Sequence, residues 1–129
     1  MKIVLFVCTE NGFRSQIAEA YFNKFAPKDW NAVSAGIRPT EKVHLNAVKL
    51  MREEGIDISH KKPRLLTKEL QEGAEVGVIV CSGAECPLVL AKHVEEWNMP
   101  DPAKMSLDEA RKVRDEIKRK VLSLVQELA

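Results

Sequence analysis

The sequence predicts an α/β fold in which an open parallel sheet is covered by helices on both faces. Two continuous apolar runs, KIVLFVC at 2–8 and VGVIVC at 76–81, are typical of central parallel strands that are buried on both sides. Amphipathic segments separate the strand patterns, so strands and helices alternate along the chain. The 129 residues fit one domain that spans 1–129.

The first half of the chain follows the order strand, helix, strand, helix. After KIVLFVC, apolar residues recur at helical spacing until Pro27 ends the pattern. They are Ile17, Ala18, Tyr21, Phe22 and Phe25. WNAVSAG at 30–36 predicts a second short strand, and HLNAVKLMREEG at 44–55 predicts a helix with Gly55 at its C-terminal cap.

The second half adds a short helix and two more strands. The stretch 65–72 predicts a helical turn or two, with Thr67 as its N-cap, before VGVIVC begins. KHVEEWN at 92–98 predicts a last, more exposed strand. MPDPAKM at 99–105 predicts a loop, because prolines stand on both sides of Asp101.

A long amphipathic helix closes the chain. Ser106 and Glu109 form a capping-box pattern at its start. Its apolar face carries Leu107, Ala110, Val113, Ile117, Val121, Leu124 and Leu128. The opposite face is rich in Lys and Arg and is expected to be solvated.

Composition argues against several classes of partner. The net charge is +1 with both signs interspersed, so no field exists to attract nucleic acid or anionic lipid. No apolar run approaches the roughly 20 residues of a membrane-spanning helix, and the N-terminal run is too short for a signal peptide. We expect a cytoplasmic monomer without nucleic-acid or membrane partners.

Both strong strand patterns end in a cysteine, Cys8 and Cys81, and Cys86 follows shortly after. If the two strands are neighbours, about 4.8 Å apart, these first two sulfurs emerge at one edge of the sheet and within disulfide reach. A zinc site is not indicated, because no second cysteine pair or nearby histidine completes a ligand set. No metal is therefore predicted.

The segment between the first strand and the first helix predicts an oxyanion site. Cys8 and Arg14 are separated by five residues, and a loop of this length that runs into a helix can direct successive N–H groups inward. Gly12 would permit a close backbone approach or a positive φ, and the planar fork of Arg14 can hold two oxygens. The predicted cradle comprises Thr9, Glu10, Asn11, Gly12, Phe13, Arg14 and Ser15.

The same surroundings predict a reactive thiol. The helix dipole, the N–H donors, Arg14 and the Ser15 hydroxyl all favour the thiolate of Cys8, which would make it a nucleophile. Asn11 is expected to hold the loop curl by side-chain hydrogen bonds.

These residues resemble the low-molecular-weight protein tyrosine phosphatase superfamily. The similarity rests on VCTENGFRS at 7–15, SAG at 34–36, NAVKLMREEGIDIS at 46–59 and WNMPDPA at 97–103. It implies a three-layer sandwich with a four-stranded parallel sheet in the order 2-1-3-4. Cys8 would be the nucleophile, Arg14 the oxyanion ligand and Asp101 the general acid.

Within that superfamily the chain is most similar to the thioredoxin-coupled arsenate reductases, which use three cysteines in this order. An arsenylated Cys8 would be attacked by Cys81, and Cys86 would resolve the resulting disulfide. The resemblance implies thioredoxin or a similar thiol donor as electron source, and no tightly bound cofactor. Ala103 and Lys104 stand where tyrosine phosphatases have an aromatic pair, which disfavours a phosphotyrosine substrate.

Two other functions remain open at this point. A phosphatase would use the same Cys8, Arg14 and Asp101 and needs no second thiol. A non-catalytic protein that binds oxyanions or arsenite would use its thiols only as ligands.

Overall fold

The computed structural model of the protein describes residues 1–82 and 87–129. Its strands are β1 (Lys2–Cys8), β2 (Trp30–Gly36), β3 (Val76–Cys81) and β4 (His93–Asn98). In the described part of the chain they form one parallel sheet in the order β2-β1-β3-β4. The predicted sheet order is confirmed, and the two most apolar strands occupy its centre.

The helices are α1 (Arg14–Phe25), α2 (Leu45–Arg52), α3 (Lys68–Glu72) and α4 (Leu107–Leu128), with a 3₁₀ turn at Pro102–Lys104. Thr67 caps helix α3 as predicted, with Oγ1 accepting from the Leu70 N–H at 3.1 Å, and the helix itself begins at Lys68 rather than at residue 65. Helix α2 is shorter than predicted. The chain leaves it through Gly55, whose φ of +74° suits glycine.

The two faces of the sheet carry separate apolar clusters. The first cluster joins Val4 and Phe6 of β1 and Val78 and Val80 of β3 to the buried sides of α1, α2 and α4. The second cluster lies on the other face of the sheet. It joins the alternate strand residues to half-buried Leu66, Leu70 and Ala91. The strand members of the second cluster are Leu5, Val7, Ala35, Ile79 and Cys81. The sheet is therefore the middle of three layers, as predicted.

Two side chains depart from the predicted pattern. Phe25 ends α1 with 37% of its surface exposed, because the helix stops there and the ring lies beyond the core. Arg114 is only 7% exposed although it was assigned to a solvated face of α4. Its guanidinium donates to the Leu50 carbonyl at 2.9 Å and to Glu53 Oε1 at 2.7 Å, which links α4 to the end of α2.

The ion pairs between α4 and Glu53 predict a pH-dependent stability. Hydrogen bonds from Arg111, and then from Arg114, lower the pKa of Glu53 to about 2. Its stabilising contribution is therefore complete above the ordinary pKa of 4.5 and is lost as the pH falls toward 2. We expect Glu53→Gln to lower the urea midpoint at pH 7 and to matter progressively less below pH 4.

The matched control for this prediction is Glu127→Gln, at an exposed glutamate near the C-terminus. Equal effects of Glu53→Gln at pH 7 and pH 2.5 would contradict the assignment.

Among residues 1–82 and 87–129, no helix combines the length and the apolar character that crossing a bilayer demands.

Candidate active site

The loop between β1 and α1 is anchored from outside through its carbonyl groups. The carbonyls of Thr9, Glu10 and Gly12 accept from the N–H groups of Arg38, Thr40 and His44 at 2.8, 3.2 and 2.8 Å. Since these acceptors face the 38–44 segment, the loop is held as a curl around the sulfur of Cys8. The Asn11 N–H donates to that sulfur at 3.2 Å. The spacing predicts several inward N–H groups, and the bond from the Asn11 N–H is one such contact.

The conformation of the curl depends on Asn11 rather than on Gly12. Asn11 has a φ of +53°, in the left-handed region that asparagine tolerates. A Cβ at Gly12 would meet Thr40 Oγ1 at 3.0 Å, so Gly12 serves a close approach and not a positive φ. The requirement for glycine is stronger at Gly36, because a Cβ there would stand 2.8 Å from both Asn11 N and Thr9 O.

The side chain of Asn11 is fully buried and fixed in orientation. Its Oδ1 accepts from the Arg64 N–H at 2.9 Å and from Gln16 Nε2 at 3.1 Å. A backbone N–H can only donate, so the amide oxygen faces Arg64 and Nδ2 is the remaining donor. Nδ2 donates to Ser15 Oγ at 2.7 Å. The expected structural role of Asn11 is observed.

The Asn11 network places the Ser15 hydroxyl against the sulfur of Cys8. Ser15 Oγ lies 2.9 Å from Cys8 Sγ. A Cys8 thiolate has no proton of its own, so in that form the Ser15 hydroxyl is the donor of this bond. Cys8 thus receives two donors, Ser15 O–H and Asn11 N–H, beside the N-terminus of the twelve-residue helix α1. Both groups therefore lie where they can donate to the sulfur when it attacks as a thiolate.

Arg14 begins α1 and is only 7% exposed. Its Nη1 donates to the Met99 carbonyl at 2.9 Å, so the loop after β4 holds one edge of the guanidinium. The side chain still lines the pocket above Cys8. The remaining N–H groups are suited to a tetrahedral anion.

The pocket brings Cys8, Arg14 and Asp101 together, although Asp101 follows Cys8 by more than ninety positions. The cavity measures about 110 Å³. Asp101 accepts from the Ala103 N–H at 3.0 Å and so caps the 3₁₀ turn. One carboxylate oxygen is tied to the backbone, which orients the side chain at the pocket rim.

Ala103 and three rim residues line the pocket although they were not assigned to the site from sequence. The three rim residues are Thr40, Lys42 and His44. Each comes from the 38–44 segment that receives the loop carbonyls, so their placement is a tertiary effect without a local motif. His44 also caps α2, since its Nδ1 accepts from the Asn46 N–H at 3.1 Å. The His44 ring packs on Phe13, with centroids 5.1 Å apart.

The two strand-end cysteines share an edge of the sheet but not a face. Val7 pairs with Ile79, which places Cys8 one register position before Cys81. Because side chains alternate along a strand, Cys81 packs in the second cluster, while the Cys8 sulfur contacts α1. The expectation that both sulfurs emerge together is wrong in this respect, and Cys81 is absent from the described lining of the pocket.

The oxidation states of these cysteines also differ. Cys8 is a buried free thiol, whereas Cys81 is disulfide-bonded. Cys86, the proposed resolving residue, lies outside the described residues. Within 1–82 and 87–129, no group of three or more His, Cys, Asp or Glu side chains is arranged to hold a metal ion.

Comparison with known proteins agrees with this geometry. Residues 3–129 match the family described as low molecular weight phosphotyrosine protein phosphatase. The chain belongs to this family. "Arsenate reductase 1" of Staphylococcus epidermidis, a relative, is 42% identical over 121 residues, which cover 91% of this chain and 90% of the relative. The resemblance seen in the sequence is confirmed.

Solved structures of arsenate reductases and of a low-molecular-weight tyrosine phosphatase share the fold. An arsenate reductase in its phosphate-binding state has a TM-score of 0.90 and 31% identity, with both chains fully covered. A thioredoxin-dependent arsenate reductase of Corynebacterium glutamicum has a TM-score of 0.81 and 27% identity, over 98% of this chain and 61% of that one. A low-molecular-weight tyrosine phosphatase from T. tengcongensis has a TM-score of 0.84 and 30% identity, over 98% and 99% of the chains.

The Ser15 hydroxyl predicts a measurable effect on the reactivity of Cys8. Ser15→Ala removes a donor to the sulfur, and a hydrogen bond to a charged group contributes about 1.5–3 kcal/mol. We expect alkylation of Cys8 by iodoacetamide at pH 7 to slow about tenfold or more. Mass mapping of the peptide that carries Cys8 would measure the rate.

The control for this alkylation is Ser123→Ala, at an exposed position on α4. An unchanged rate in Ser15→Ala, with the fold intact, would show that the hydroxyl does not act on the thiolate.

Proposed function

We propose that this protein is an arsenate reductase that passes electrons through its own cysteines. The observation that carries the proposal is the pair of sulfurs at one edge of the sheet. Cys8 is a free thiol inside an oxyanion cradle, and Cys81 is already oxidised. A phosphatase of this family needs only the first sulfur. The arsenate reductases among its relatives support the assignment.

The first step forms a bond between sulfur and arsenic. The Cys8 thiolate attacks arsenate held by Arg14 and the loop N–H groups, and one oxygen leaves the arsenic. Asp101, at the pocket rim, gives that oxygen a proton so that it departs as water. The product is an arsenylated Cys8 in which arsenic is still pentavalent.

The second step transfers two electrons to arsenic. The Cys81 thiolate attacks the sulfur of Cys8, the sulfur–arsenic bond breaks, and its electron pair leaves with arsenic as arsenite. Cys86 then attacks the sulfur of Cys81, which releases the Cys8 thiolate and leaves a disulfide. These reaction steps end with Cys8 as a free thiol and Cys81 in a disulfide, before an external donor reduces the protein.

The relay requires a movement near the end of β3. The side chain of Cys81 packs on the face opposite to α1, so its sulfur must come around the sheet edge to meet Cys8. The position of Cys81 as the last residue of β3 favours such a change, because local unfolding there breaks few strand contacts. The electron donor in this proposal is thioredoxin or a similar dithiol protein, which implies a reducing, cytoplasmic setting.

A phosphatase remains the second candidate because of one specific feature. The rings of Phe13 and His44 form an aromatic wall of the pocket, against which an aryl phosphate can pack. Hydrolysis would use Cys8, Arg14 and Asp101, with water in place of Cys81.

A paired assay tests the proposal. NADPH oxidation is followed with arsenate, thioredoxin and thioredoxin reductase, and hydrolysis of an aryl phosphate is followed in parallel. We expect turnover with arsenate to exceed hydrolysis. Hydrolysis without arsenate turnover would identify a phosphatase. Neither rate, combined with uptake of arsenite, would identify a non-catalytic binding protein, and either result would overturn the proposal.

A further inference from the structure

The segment 87–91, PLVLA, presents two leucines to solvent. Val89 is 7% exposed, whereas Leu88 is 89% and Leu90 is 72% exposed. Leucine is among the residues most often buried, and the alternation places both leucines on the outward side of the segment. We call these two side chains the Leu88–Leu90 surface.

This surface lies over the face of β3 that carries Cys81. Val89, between the two leucines, belongs to the same apolar cluster as Cys81. A Cβ at Gly77 of β3 would stand 2.8 Å from Val89 Cγ1, so the segment packs directly on that strand. The N–H of Leu90 donates to Gln71 Oε1 at 2.8 Å, at the end of α3. The leucines are therefore held in place rather than displayed on a free end.

We propose that the Leu88–Leu90 surface is the docking site of the dithiol protein that reduces the Cys81 disulfide. The inference rests on the proposed function. Thiol–disulfide exchange passes through a mixed disulfide, so the reductant must contact this protein beside the reacting sulfurs. An apolar patch fixed on the same layer as an oxidised cysteine meets that requirement, and it fits a partner with an apolar rim around its reactive thiol.

Reduction of the Cys81 disulfide takes two thiol–disulfide exchange steps. A thiolate of the reductant attacks one sulfur of the Cys81 disulfide, a bond forms between the two proteins, and the other sulfur leaves as a thiolate. The second thiol of the reductant then attacks the mixed disulfide. The reductant departs as a disulfide, and two electrons and two protons have passed to this protein.

The test measures reduction of the oxidised protein by thioredoxin without arsenate, followed by titration of the thiols released. The variant is Leu88→Ser combined with Leu90→Ser. We expect its KM for thioredoxin to rise about tenfold or more, since apolar anchors dominate such contacts. Reduction by dithiothreitol, which needs no docking surface, should stay within about twofold of wild type.

The matched control is Leu122→Ser, at a 39% exposed leucine on α4, against the other face of the sheet. It should leave the KM for thioredoxin unchanged. Leu88→Lys alone, checked by its thermal midpoint, supplies a variant that keeps Leu90 and therefore disturbs the surface less.

Three results would overturn the docking proposal. They are an unchanged KM in the folded double variant, an equal loss of reduction by dithiothreitol, and a change of oligomeric state without a change in KM. The last would assign the surface to contact between copies of this chain. If the KM for thioredoxin depends on Leu88 but the wild type does not turn over arsenate, the docking proposal is supported while the proposed function fails.

Discussion

Cys81→Ser is expected to lower steady-state arsenate reduction by at least about a thousandfold while aryl phosphate hydrolysis stays within about twofold of wild type. The reason is that hydrolysis needs only water after the attack by Cys8, whereas arsenite release needs a second thiolate. Residues that act as a unit in catalysis show losses of this size or larger. The two activities are measured on the same preparation, so each serves as an internal reference.

The phosphatase activity also reports whether the Cys81→Ser variant is folded. Cys81 is 3% exposed in an apolar cluster, so a serine there buries a hydroxyl, and Cys81→Ala is the second variant to test. Ser82→Ala, at the exposed neighbouring position, is the control for local disturbance. Arsenate turnover that is indifferent to Cys81 would exclude the relay, whatever the effect on hydrolysis.

Arg14→Lys is expected to lower kcat/KM about a hundredfold or more for arsenate and for aryl phosphate alike. The lysine keeps the positive charge but loses the planar fork, and removal of one preorganised oxyanion donor costs about 10²–10³ in rate. It also loses the geometry by which Arg14 is held on the Met99 carbonyl. Steady-state kinetics with both substrates measure the effect.

The control for Arg14→Lys is Arg52→Lys, at an exposed arginine on α2. A loss confined to one substrate would show that Arg14 does not serve a shared oxyanion pocket. Full retention of both activities would remove Arg14 from the proposed site.

Much of the fold was predictable because its strongest signals are local. The continuous apolar runs of β1 and β3, the capping residues Thr67 and Ser106, and the apolar stripe of α4 each appear in the structure where the pattern predicts them. The burial of Arg114 was not predictable, because it depends on an acceptor at the end of α2. Periodicity alone does not reveal such a partner.

The candidate site likewise contains residues that the local sequence reveals and residues that only the tertiary fold brings together. Cys8, Asn11, Arg14 and Ser15 lie within one turn and the start of a helix, so their spacing reveals their association. Thr40, Lys42 and His44 reach the pocket only because the 38–44 segment binds the loop carbonyls. The face on which Cys81 packs follows from the pairing register, since a shift of one residue exchanges the faces. That register is a property of the assembled sheet.

The placement of the two sulfurs in different layers has a kinetic consequence. The anion pocket lies beside the start of α1, the 38–44 segment and the loop after β4. The oxidised cysteine packs instead in the cluster that contains Val89 of the segment 87–91. If the reductant docks at the Leu88–Leu90 surface as proposed, an occupied anion pocket does not obstruct it. Saturating concentrations of the oxyanion should then leave the rate of disulfide reduction by the dithiol protein unchanged. Mutations should be able to alter oxyanion reduction and disulfide reduction independently.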